Sequence, residues 1–82
     1  MIEGRQIRAA RALLEWSRDD LAKAAAVSVS ALLRLEQGIS DTRTSTVSKV
    51  LAALSAAGIE FISQPDGTVG VVVKPHSNAP SS

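Results

Sequence analysis

Few residues in this chain could do covalent chemistry. Cysteine is absent, which removes disulfides and thiolate nucleophiles or ligands. The one histidine, His76, lies in a polar, proline-containing tail and reads as a solvated side chain rather than a base or a metal ligand. Asp19-Asp20 sets two carboxylates side by side, but in a helix's first turn that arrangement complements the backbone dipole. Gly4, Gly38, Gly58, Gly67 and Gly70 are scattered and lack the spacing of a phosphate-cradling loop. The sequence thus supports no enzyme, no metal and no cofactor. The chemistry left is recognition: hydrogen bonds and charge from arginine, serine and glutamine, and contact from apolar side chains.

Recognition depends on the balance of the whole chain. Eighty-two residues suggest one small domain, with a core modest enough that a second subunit would help. Nine basic and eight acidic residues leave a net charge of +1, less basic than a dedicated nucleic-acid binder usually is. No apolar run reaches the length that spans a bilayer, and no signal-peptide core is visible. Nor does any helix couple a strongly basic face to a large apolar one, so a membrane-surface role has no support. With no cysteine, a reducing cytoplasm is the expected location.

The elements that must position the recognition groups centre on residues 17–38. Ser17 can cap a helix over 18–25, with Asp20 three residues on to return the bond. Leu21, Ala24 and Ala25 are expected on its inner face. Ala26-Val27 is the turn, Ser28 caps a second helix over 29–37, and Leu32 and Leu35 give that helix its buried stripe. Gly38 stands where a helix ends in a left-handed residue. Two short helices about a tight turn, the second left partly outside the core, form a helix-turn-helix arrangement.

Further elements flank this pair. Met1 to Gly4 is a short lead-in, although Ile2-Glu3-Gly4-Arg5 also spells a common engineered protease site; its smooth passage into the next helix reads as native. A first helix runs over 5–15, with Ile7, Ala10, Leu13 and Leu14 inward and Arg5, Arg8, Arg11 and Glu15 lining the rest. Trp16 is expected to plug the core behind it. A fourth helix covers 45–57, capped by Thr44 or Ser45 and ended by Gly58, with Val47, Val50, Leu51 and Leu54 at helical spacing. Strands at 59–63 and 68–73 flank the turn residues Gln64-Pro65-Asp66-Gly67. The expected fold is mostly α: a four-helix, lambda-repressor-like helix-turn-helix domain with a C-terminal β-hairpin over residues 1–74, then a disordered tail over 75–82. A lone hairpin is marginal in water, so it must pack on the helices or pair with a second copy; a homodimer through its valine-rich edge is one expectation.

At these residues the chain resembles the XRE, or phage-repressor-like, helix-turn-helix family. The resemblance is close for small bacterial regulators that begin like Gly4-Arg5-Gln6-Ile7-Arg8-Ala9-Ala10-Arg11, pass through Trp16-Ser17 and finish like Ala56-Ala57-Gly58-Ile59-Glu60-Phe61-Ile62 with a glycine-valine strand. The resemblance covers about residues 4–74. It implies an ion pair between Arg11 on the first helix and Glu36 at the end of the recognition helix. It also implies that Arg18, Val29, Ser30, Leu33, Arg34 and Gln37 face the major groove or its flanking phosphates in DNA-binding relatives. Ala26 replaces the glycine usual in the turn, which is tolerable only if it escapes positive φ.

Two readings of that surface stay open. Base reading calls for arginine, lysine, asparagine and glutamine, whereas this helix carries Val29 and Leu33, four apart, and is followed by Ile39, Ser40 and Asp41 where two basic residues are usual. An apolar strip of Val29, Leu33 and Ile39, rimmed by Arg18, Ser30, Arg34 and Gln37, has the composition of a protein interface. Some regulators of this subfamily, including antiactivators of quorum-sensing circuits in rhizobia, are thought to use the scaffold to hold a transcriptional activator, and the favoured partner is such a protein. The alternative is a dimeric DNA-binding repressor. Arg18, Ser30, Arg34, Gln37 and Arg43 would then contact operator DNA, with recognition helices about 34–36 Å apart.

Overall fold

The structure is a computed structural model that describes residues 2–38 and 43–74. Four helices, α1 (Gly4–Leu14), α2 (Arg18–Ala25), α3 (Val29–Glu36) and α4 (Thr44–Ala56), precede an antiparallel hairpin of β1 (Ile59–Ser63) and β2 (Val69–Val73). The expected mostly α architecture with a C-terminal hairpin is the observed one. Among the described residues no helix is long and apolar enough to cross a membrane.

The helix ends follow from local chemistry. Glu3 and Gln6 form a capping box at α1, and Ser17 and Asp20 form one at α2. At α3 the Ser28 hydroxyl accepts the Ala31 N–H at 3.0 Å. α1 stops at Leu14, one residue short of the expected end, because Glu15 turns left-handed at φ 58°. The residue in the helix-turn-helix turn does the same: Ala26 sits at φ 58°. The expectation that it would escape positive φ is therefore corrected. Its N–H closes α2 onto the Ala22 and Lys23 carbonyls, so the turn keeps the glycine geometry without the glycine. Neither Thr44 nor Ser45 caps α4. Arg43 holds the extended capping position without a side-chain bond, and both hydroxyl residues fall inside the helix.

The core gathers Ile7 and Ala10 of α1, Leu21, Ala22 and Ala25 of α2, Leu32 of α3, Val50 and Leu54 of α4, and Ile59 of β1. Two inward assignments are corrected. Leu13 is exposed because the buried stripe of α1 runs through Ile7, Ala10 and Leu14, and Leu13 lies off that face. Ala24 is exposed and Ala22 buried, because the α2 stripe centres between Leu21 and Ala22. Trp16 packs against this core but stays partly open to solvent.

The hairpin sits on α1 and α4. Its turn closes through a Gly67 N–H to Gln64 carbonyl bond of 2.9 Å, with Gly67 left-handed at φ 92°. Ile59 enters the core and Phe61 packs beside it. The buried Gln6 side chain fastens the sheet: its amide nitrogen donates to the Gly70 carbonyl at 3.0 Å and the Ile62 carbonyl at 3.3 Å, and its oxygen accepts the Glu3 N–H at 2.8 Å.

Candidate recognition surface

α3 owes its position to its last residue. The Glu36 side chain is only 1% exposed. Arg11 approaches it with two bonds, Nε to Oε2 at 2.7 Å and Nη2 to Oε1 at 3.1 Å. Arg18 adds a third, Nε to Oε1 at 3.2 Å. From α1, the Arg8 guanidinium donates to the Glu36 backbone carbonyl. One carboxylate and the negative end of a helix thus meet three guanidiniums, a favourable arrangement for the α3 dipole.

The approach is close because α1 begins with glycine. A Cβ on Gly4 would stand 2.3 Å from the Glu36 carbonyl oxygen. Gly4, Arg8 and Arg11 recur at i, i+4 and i+7, one stripe of α1 laid on the end of α3. Sequence reasoning missed this role for Gly4 and Arg8, and it missed the burial of Gln6. The stripe spacing was the available signal for the first two; Gln6, a polar residue beside an apolar face, offered none.

The outer side of α3 carries the candidate contacts. Ser30, Arg34 and Gln37 are exposed, with Gln37 just past the helix as its C-cap. Val29 is 42% exposed. Leu33 is half-buried, so of the two apolar side chains only Val29 stands well out in solvent. Ile39 lies outside the described residues. Arg18 is 37% exposed with its Nε turned to Glu36, and Arg43 is exposed at the start of α4. The structure therefore brings Val29, Ser30, Leu33 and Arg34 onto α3 with Gln37 as its C-cap, and ties Arg18 to the carboxylate of Glu36 at its end.

The first turn of α2 is acidic. Asp19 and Asp20 are both exposed there. The Ser17 backbone N–H, and after it the Ser17 hydroxyl, hold the Asp20 carboxyl below the usual aspartate range. In an open cleft between α1 and β2, Gln6 is engaged with the hairpin and Arg5 with Glu3 at 2.6 Å. No group of three or more histidine, cysteine or acidic residues among those described could hold a metal ion.

A family model described as helix-turn-helix matches residues 7–57, from the core of α1 to the residue after α4. No curated protein matches the chain.

Proposed function

Because the chain belongs to the helix-turn-helix family, we infer that it is a transcriptional regulator that lays α3 in the major groove of DNA. The observation that carries this reading is the outer face of α3. Arg34 and Gln37, the side-chain types that read guanine and adenine edges, stand exposed three residues apart, with Ser30 one turn before them. Among the described residues of that strip, the half-burial of Leu33 leaves Val29 as the well-exposed apolar side chain, and a valine suits the methyl of thymine. Arg18 and Arg43 flank the helix where phosphates run.

The test is fluorescence anisotropy with DNA from the chain's own upstream region against scrambled DNA of the same length. Arg34→Ala is expected to weaken the specific complex by roughly 5- to 150-fold, the value of one good base contact, and to change scrambled binding little. Equal affinity of the wild type for both DNAs refutes the reading.

One observation favours a second reading. Val29 is exposed while the first turn of α2, the helix that crosses the DNA backbone in this arrangement, carries two carboxylates. Those charges repel phosphate and suit a basic protein surface. On this reading α3 docks onto a transcriptional activator and restrains it. Val29→Asp then abolishes capture of the activator and leaves the fold intact; retained capture refutes it.

A further inference from the structure

The hairpin and α3 are both seated on one turn of α1. The hairpin packs chiefly on α1 and α4, and α3 on α1, α2 and α4. In α1 the two supports overlap around its first turn. Gln6 holds the hairpin, while Gly4 and Arg8 hold the end of α3. Ile62 and Gly70 lie opposite each other in the hairpin, so the amide nitrogen of Gln6 donates to both strands at a single rung. The oxygen of the same planar amide accepts the Glu3 N–H at 2.8 Å. Gln6 is only 3% exposed, and with both ends of its amide bonded the group has one orientation. Glu3 is joined directly to Gly4, and Gly4 already stands against backbone: a Cβ there would lie 2.3 Å from the Glu36 carbonyl oxygen and 2.8 Å from that of Leu35. Short, stiff links thus run from the sheet to the carbonyl end of α3. Packing this close transmits a displacement rather than absorbing it.

We propose that Gln6 is a positioning residue for α3. Through it the hairpin fixes the first turn of α1, and that turn fixes the last turn of α3. Gln6 is 56 residues from Ile62 and 64 from Gly70, so the tie exists only while the hairpin is docked on α1. Arg34 belongs to the last turn of α3 and Gln37 is its C-cap. A disturbance in the hairpin therefore reaches the outward face of α3 without touching it.

Residue-resolved amide hydrogen exchange tests this on the chain alone, with neither DNA nor an activator, so its failure leaves both readings of α3 standing. Gln6→Glu keeps an acceptor for the Glu3 N–H and removes the donor to the hairpin. Exchange at Leu35, Glu36 and Gln37 is expected to quicken by roughly 2- to 13-fold relative to the amides of α2, the worth of one net hydrogen bond. Gln6→Met, which is uncharged, gives the same reading if the carboxylate prevents folding. A second variant starts from the hairpin. Gly67 is left-handed at φ 92°, and a Cβ there meets nothing within 4 Å, so Gly67→Val strains the turn alone. It is expected to quicken the end of α3 in the wild type and to add nothing there in Gln6→Met, where the tie is already gone. An end of α3 that keeps pace with α2 in the folded Gln6 variants overturns the proposal. So does an effect of Gly67→Val on α3 that is the same with and without Gln6, as coupling through α4 would give.

Discussion

Glu36→Gln probes the joint that holds α3 in place. The exchange keeps the shape of the side chain and removes its charge. Its amide N–H groups then face a guanidinium donor, because both carboxylate oxygens now accept from Arg11 and Oε1 accepts from Arg18 as well. Removing one partner of a buried ion pair costs about 3–5 kcal/mol. A folded domain holds only about 5–15 kcal/mol in all, and a chain this short belongs near the lower end. At about 4–8 °C per kcal/mol for a domain of this size, a loss of about 3–5 kcal/mol should lower the melting temperature by roughly 12–40 °C. The two arginines should not matter equally. Arg11 is 16% exposed and doubly bonded, whereas Arg18 is 37% exposed and singly bonded. Arg18→Met is thus expected to cost about 1 kcal/mol or less, as partly exposed pairs do. Urea unfolding of Arg11→Met, Glu36→Gln and the double variant closes a cycle, in which Arg11→Met should cost far less once Glu36 is replaced. A loss below about 1 kcal/mol for Glu36→Gln, or equal losses for the two arginines, refutes the reasoning.

Two further predictions follow from the caps and the turn. Ala26→Gly relieves a left-handed alanine that costs about 1–2 kcal/mol, against a glycine entropy cost of roughly 0.5–1 kcal/mol. A net gain of about 0.5–1 kcal/mol should raise the melting temperature by about 2–8 °C, and a fall would contradict the strain argument. For Asp20, a folded-state value below the ordinary 3.8 means that its contribution is present above that value and is lost as pH falls through the lowered one. The stability gap between wild type and Asp20→Asn should therefore be open near pH 7 and closed at strongly acid pH; a gap that stays constant removes the charge from the explanation.

Much of the fold was legible because local chemistry and pattern agree. Ser17, Asp20 and Ser28 cap where their side chains allow, and the turn residues 64–67 separate two β-branched runs. The errors have physical causes. Leu13 and Ala24 are apolar, but their helices rotate them off the core face, and an amphipathic count tolerates one residue too many. Ala26 holds a conformation that its type disfavours because the surrounding helix pair fixes the turn. The residues of the proposed contact face were legible as neighbours along α3 and its C-cap. The depth of Leu33 was not, since it depends on how far α3 sinks between its neighbours, and that involves Gly4 and Arg11 of α1, far away along the chain, where they meet Glu36.

The glycine at the start of α1 has a practical consequence. Ile2-Glu3-Gly4-Arg5 is a cutting sequence for a trypsin-like processing protease, yet here Glu3 caps a helix, Gly4 abuts the end of α3 and Arg5 lies within the first turn. A protease needs an extended backbone, so scission after Arg5 requires that first turn to unwind. The digestion rate of the intact chain is thus a clock for the fraying of α1, and the same enzyme is a poor choice for trimming a purification tag from this protein.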